Sequence, residues 1–267
     1  MKIAAKTVVV TGAGSGIGRE VALEAVRRGA RVAAVDLNPD TLADTARLAD
    51  GHLSTHVADI TDRAAVQELP AKVEAEHGGP ADALVHCAGI IQPFVTLTDL
   101  DYDAIDRVFA VNWQGTLHLA KTFLPVLHDR PEAHLVNISS MGGFLPVPGQ
   151  IIYGASKAAV KLLTEGLHAE CAGTNVHVTV AFPGAVATNI SANSGVALPG
   201  AGGDSTAANH TITTPQRAAR EILDGVEANA YRVLVGRDAR LMDRMYRLSP
   251  QRAARLITSK MQELIKG

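Results

Sequence analysis

The sequence predicts a doubly wound α/β domain, a seven-stranded parallel sheet with helices on both faces. Three observations lead there. Short β-branched or apolar runs alternate with helix-period segments along nearly the whole chain, joined by short turns. A glycine-rich turn, Thr11-Gly12-Ala13-Gly14-Ser15-Gly16-Ile17-Gly18, separates the first run from the first helical segment. Asp36 ends the second run, about 20 residues beyond the glycines. No linker, internal repeat or second domain interrupts the pattern, so residues 1–267 read as one domain.

Taken in order, Thr7-Val8-Val9-Val10 is a short buried strand, and Arg19 to Arg28 has helical apolar spacing. Strand, glycine turn and helix start together make an anion site. Glycine admits a phosphate close to the backbone, and free N–H groups at the helix N-terminus favour negative charge. Gly29 closes that helix, and Arg31 to Val35 forms the second strand, ending at Asp36. A carboxylate there suits ribose hydroxyls and repels a 2′-phosphate; neither Leu37 nor Ser15 brings a compensating cation. The expected cofactor is therefore NAD rather than NADP. Asn38 is the natural cap for a helix from Pro39.

His52 to Val57 reads as the third strand, ending at Asp59, with Thr61 as cap of a helix running to about His77 and Pro70 as a kink. Ala83-Leu84-Val85 is the fourth strand, followed by His86-Cys87-Ala88-Gly89. The acidic run from Thr98 to Asp103 lacks the glycine of a calcium loop and fits a helix N-terminus better. A long helix to about His128 follows and carries Asn112. Ala133 to Ile138 is the fifth strand, a helix from Tyr153 runs to about Cys171, and Asn175 to Phe182 is the sixth strand. After Pro183-Gly184-Ala185-Val186-Ala187-Thr188 the composition turns to Gly, Ser, Asn, Thr and Ala, so 189–213 reads as a mobile substrate lid. Thr214-Pro215 opens another helix as cap and first residue, and Arg232 to Val235 is the seventh strand.

An apolar fraction of 47% supports a large core. The formal net charge of −2, without any basic-aromatic stretch, gives no reason to expect nucleic acid. Two cysteines in unrelated contexts make no disulfide framework, and no run approaches the ~18 apolar residues of a membrane span. A soluble, cytoplasmic protein is the expectation. No metal site is expected: His52 and His56 stand four apart, but on a strand.

The chemistry-bearing stretch is Ser139 to Lys157. Tyr153 and Lys157, four apart on a helix, share one face. A nearby ammonium favours the ionised phenol, which makes Tyr153 a candidate acid/base for alcohol or carbonyl chemistry. Ser140 lies thirteen positions earlier, where a folded-back loop would bring its hydroxyl to the same oxygen.

With those residues in place, the sequence resembles the short-chain dehydrogenase/reductase family over nearly its whole length. The matches are the Thr-Gly-x-x-x-Gly-x-Gly turn at 11–18, Asp36, Asp59, Ala88-Gly89, Asn112, Ser140, Tyr153, Lys157 and Pro183-Gly184 with Thr188. The resemblance implies a single Rossmann-type domain assembled as a homodimer or homotetramer. It implies a pyrophosphate site at Gly12, Ser15, Gly16, Ile17 and Gly18, the adenosine ribose on Asp36, and adenine against Asp59 and Ile60. Lys157 would bind the nicotinamide ribose and lower the Tyr153 pKa. Ser140 would hold the substrate oxygen, and Asn112 a relay water. Val186 and Thr188 would fix the carboxamide. The implied reaction interconverts a small-molecule secondary alcohol and its ketone with NAD. An NADPH-dependent carbonyl reductase and a non-catalytic NADH-sensing regulator are the alternatives.

Two features depart from the family pattern. His86 and Cys87 stand where the family usually has two asparagines; a backbone partner is expected for His86 and a small buried role for Cys87. The extension at 237–267 is basic and amphipathic. Packing on its own core or a sister subunit is expected in preference to peripheral membrane contact. The neutral lid and its flanks, with Phe144, Leu145, Val147, Ile190, Val196 and Leu198, point to an apolar, alicyclic substrate.

Overall fold

The computed structural model describes residues 1–196 and 212–266, without the side chains at 260 and 262–266. The first half comprises β1 (Thr7–Thr11), α1 (Gly16–Arg27), β2 (Arg31–Asp36), α2 (Pro39–Leu48), β3 (Leu53–Val57), α3 (Arg63–His77) and β4 (Ala83–His86). The second comprises α4 (Tyr102–Phe109), α5 (Gly115–His128), β5 (Ala133–Ile138), α6 (Ile151–Glu170), β6 (Val176–Pro183), the short α7 (Ile190–Asn193), α8 (Pro215–Glu227) and β7 (Arg232–Val235). Helices α9 (Arg237–Leu248) and α10 (Pro250–Lys266) follow. All seven strands are parallel, in the order β3-β2-β1-β4-β5-β6-β7.

Period-two alternation sends neighbouring residues of one strand to opposite faces, and here both faces are buried. Val8, Val10 and Val32 meet Val21 and Ala25 of α1 and Ile222 and Val226 of α8. Val9, Val35 and Leu84 meet Val66 and Leu69 of α3 and Leu119 and Phe123 of α5. Each fully buried large side chain of this kind stabilises the fold by about 1.5–3 kcal/mol. The chain reverses its winding between β1 and β4, where Val8 pairs with both Val32 and Ala83. A crevice opens at such a reversal, outside the carboxyl ends of the strands.

Asn38 caps α2, its side chain accepting the N–H of Asp40 and Thr41, and Thr214 caps α8 through the N–H of Arg217. Three expectations are corrected. Asp62, not Thr61, caps α3, accepting the N–H of Ala64 and Ala65; Thr61 turns back to donate to Asp59. The helix bearing Tyr153 starts two residues earlier, at Ile151. The long helix to His128 is not uniform: a π turn at Ala110–Gln114 separates α4 from α5. Of the lid stretch, 197–211 lies outside the described residues, and what precedes it forms α7.

The C-terminal pair α9 and α10 packs on the body. Met242 and Ala253 bury against Leu145, with Met141, Phe144, Met245, Tyr246, Leu256 and Ile257 around them. Asp243 ties α9 to the edge strand through Arg232, whose guanidinium also lies 4.7 Å from the Phe182 ring centre. Among the described residues, no helix is long and apolar enough to cross a membrane.

Candidate active site

A cleft of roughly 400 Å³ opens at the β1/β4 crevice. Its walls include Gly12, Ser15, Gly16, Ile17, Gly18, Asp36, Asp59, Ile60, Ala88, Gly89 and Thr188. The floor is shaped by missing side chains. Gly12 has φ +66°, and a Cβ there would sit 2.8 Å from the Cα of Ala88. A Cβ on Gly18 would run into the carbonyl oxygen of Gly12, so the turn and the first turn of α1 touch backbone to backbone. That leaves the N–H groups at the start of α1 beside the cleft, where an anion is favoured.

Asp36 is fixed at the rim: one carboxylate oxygen accepts the N–H of Gly14 at 2.9 Å, the other that of Asn38 at 3.1 Å. No lysine or arginine is among the described residues lining the cleft. Asp59 holds Thr61 through both its N–H and its hydroxyl, at 2.8 and 2.7 Å. Ile190, expected among the apolar lid residues, and Asn193, which the sequence did not mark, close the opposite side; Asn193 Nδ2 donates to Ser15 Oγ at 2.7 Å.

Beyond Gly89 lie the proton-handling groups. A Cβ on Gly89 would stand 3.0 Å from Lys157 Nζ and 3.2 Å from Asn112 Oδ1, so both side chains converge beneath it. Asn112 is fully buried on the π turn, and its carboxamide grips Ile90 twice, accepting its N–H and donating to its carbonyl, each at 2.9 Å. It also donates to Ser156 Oγ at 3.0 Å. Ser140 and Tyr153 meet across Gly142: a Cβ there would lie 3.5 Å from both Ser140 Oγ and the Tyr153 ring. Close approach of the 3-10 turn Met141–Gly143 to α6 needs Gly143, whose Cβ would fall 2.9 Å from the Lys157 carbonyl oxygen.

Burial raises the Tyr153 phenol above its ordinary value, and hydrogen bonding with Ser140 pulls it the other way. The Lys157 ammonium donates to the Ile138 carbonyl at 3.0 Å. Burial brings Lys157 itself down to about 8. Below pH 8 the folded protein holds a buried charge at full cost; above 10.5 neither state is charged. Between the two the unfolded chain binds the extra proton, so stability rises with pH, by roughly 3 kcal/mol in all. The cofactor-free Lys157→Met variant is therefore expected to be more stable than the parent at pH 7, with the margin closing by pH 10. Urea unfolding at both pH values checks this; a margin independent of pH would contradict it.

Pro183, Gly184 and Val186 do not reach the cleft wall. Gly184 is pressed against Asp238 of α9, which also accepts the N–H of Ala185 at 2.6 Å, and Val186 bridges to Thr213. His86 finds side-chain partners rather than the expected backbone one. The Thr116 hydroxyl donates to the Asn112 carbonyl at 2.6 Å, so it accepts from His86 Nε2–H at 2.9 Å. Nδ1 is then the acceptor, taking the Thr11 hydroxyl at 2.7 Å. Burial, with Lys157 nearby, holds the imidazole at about 3, so it stays neutral. Cys87 borders the cleft, and desolvation pushes its thiol up to about 12, which removes it as a nucleophile. Among the described residues no group of acidic, histidine or cysteine side chains can hold a metal ion.

Comparison with known proteins decides the lineage: residues 6–197 match the short chain dehydrogenase family. The chain belongs to that family. It is 34% identical over 265 residues to the “Putative oxidoreductase SadH” of Mycobacterium tuberculosis (strain CDC 1551 / Oshkosh), covering 95% of this chain and 94% of the relative. A short chain dehydrogenase/reductase from Burkholderia phymatum, solved in complex with NAD, superposes with a TM-score of 0.81 at 26% identity, over 93% of this chain and 96% of its own. A closed serine dehydrogenase complexed with NADP⁺ gives a TM-score of 0.76 at 25% identity, over 86% and 94%. Structures similar to this chain thus occur with either nucleotide, and this chain is an oxidoreductase of the family.

Proposed function

We propose that this chain is an NAD-dependent oxidoreductase that interconverts a secondary alcohol and its ketone, with Tyr153 as the acid/base. The observation that carries it is the meeting of Ser140 and Tyr153 across Gly142, beside a glycine-floored cleft with Lys157 and Asn112 beneath Gly89. The cleft fits a dinucleotide, since its floor is backbone where a Cβ would intrude and its rim carries a carboxylate for ribose hydroxyls. When bound, the nicotinamide supplies the hydride chemistry. Ser140 orients the substrate oxygen, and Tyr153 takes the hydroxyl proton during oxidation and returns it during reduction. Lys157 and Asn112 line the way by which that proton leaves. The neutral, apolar flanks at Phe144, Val147, Ile190 and Val196 support an apolar, alicyclic substrate.

The choice of NAD rests on Asp36 and on the absence of a cation along the described cleft wall. Two like charges at close range cost several kcal/mol even with partial screening. Catalytic efficiency with NAD is expected to exceed that with NADP by roughly 10²-fold or more, and Asp36→Ser to narrow the gap at least tenfold. Initial rates on a panel of cyclic secondary alcohols, read by absorbance of the reduced nicotinamide, test both points. Equal or better use of NADP by the unaltered protein would overturn the NAD assignment.

A further inference from the structure

Helix α6 carries Tyr153 and Lys157, yet it begins without a cap of its own. Gln150 stands at the N-cap position and makes no capping hydrogen bond. The first N–H groups of a helix have no partner within it, and burying them unpaired is costly. Here the partner arrives from 58 residues upstream. Gln92 Oε1 accepts the N–H of Ile152 at 2.7 Å and of Tyr153 at 3.0 Å, the second and third positions that a local cap would serve. The Gln150 carboxamide reciprocates by donating to the Gln92 carbonyl at 2.8 Å. Both glutamines are buried, with exposures of 1% and 4%.

The preceding residues hold Gln92 in place. Ile90 is gripped by the Asn112 carboxamide at both its N–H and its carbonyl, and the Ile91 N–H donates to Ser194 Oγ, just past α7, at 3.0 Å. Three consecutive residues thus bind the π turn, the element closing the cleft, and the start of the catalytic helix. We propose that Gln92 is a positioning residue for Tyr153, supplying the cap that α6 lacks and so setting where the phenol stands relative to Ser140. This rests on the alcohol dehydrogenase reading above. The pattern has a chemical logic: a neutral amide satisfies both N–H groups without placing a negative charge next to a phenol that must ionise. An Asp or Glu cap would satisfy them equally well and oppose that ionisation.

The test compares Gln92→Leu and Gln92→Glu with the parent, all as full-length protein. Gln92→Leu removes the acceptor; kcat is expected to fall roughly 10–100-fold, with NAD affinity unchanged within twofold. Gln92→Glu restores the acceptor, so kcat recovers at high pH, while the ionisation governing the pH profile moves upward by about one unit. Hydrogen exchange of the segment 150–157 gives a readout that needs no substrate: protection is lost in Gln92→Leu and regained in Gln92→Glu. Retention of the parent kcat, pH profile and exchange protection by Gln92→Leu would overturn the proposal, as would equal loss in both variants. If the parent turns over no alcohol while exchange behaves as stated, the dehydrogenase reading fails and the cap stands; the positioning role then falls with the reaction.

Discussion

Tyr153→Phe is expected to lower turnover of any accepted alcohol by roughly 10²–10⁴-fold, the range for loss of a positioned acid/base. Cofactor binding should stay near the parent value, because the ring still fills its place against Gly142 and the first turn of α6 is untouched. The split between the two measurements is what matters. Titration of nicotinamide binding by fluorescence and initial-rate assays on the same preparation provide it. Retained turnover would remove Tyr153 from the chemistry; loss of both together would point to a collapsed site instead. Because burial raises the phenol and Ser140 opposes that, Ser140→Ala should also move the alkaline-side ionisation upward. That direction separates a hydrogen-bonding role for the serine from mere space filling.

Gly18→Ala carries the second large effect, and it acts through shape alone. The added methyl group would collide with the Gly12 carbonyl, which is backbone and cannot rotate away. Either the turn or the start of α1 must shift, and overpacking of this kind costs about 1–3 kcal/mol. Cofactor affinity should fall at least tenfold if, as proposed, the displaced N–H groups are those that hold the pyrophosphate. Isothermal titration with NAD, alongside a denaturant melt, separates the two consequences. Unchanged affinity would mean that phosphate is not held at this turn.

Much of this molecule is legible in its sequence because its strands are buried on both faces and its turns carry their own chemistry. Val8-Val9-Val10 and the glycine turn specify their conformations locally, and Asn38 and Thr214 cap their helices as their types suggest. The misreading of Thr61 came from two adjacent residues with similar capping ability; Asp62 wins, and Thr61 serves Asp59. The π turn leaves no mark, as Val111-Asn112-Trp113-Gln114 has ordinary helical character. What the sequence could not show are effects requiring distance or burial. Gln92 is an unremarkable loop residue until α6 is set against it. Lys157 is four residues from Tyr153 in either description, but only packing shows its ammonium committed to Ile138 and its own charge weakened.

The strand order also has a meaning in time. The crevice floor joins Thr11 to His86, positions 75 apart that become neighbours only when β1 and β4 pair. Closing so long a loop costs chain entropy before any contact repays it, and parallel pairings of this kind form slowly. During synthesis the glycine turn therefore emerges well before the strand it needs, and the crevice is complete only once β1 and β4 have paired. A ligand bound to the completed crevice would stabilise the folded domain against unfolding.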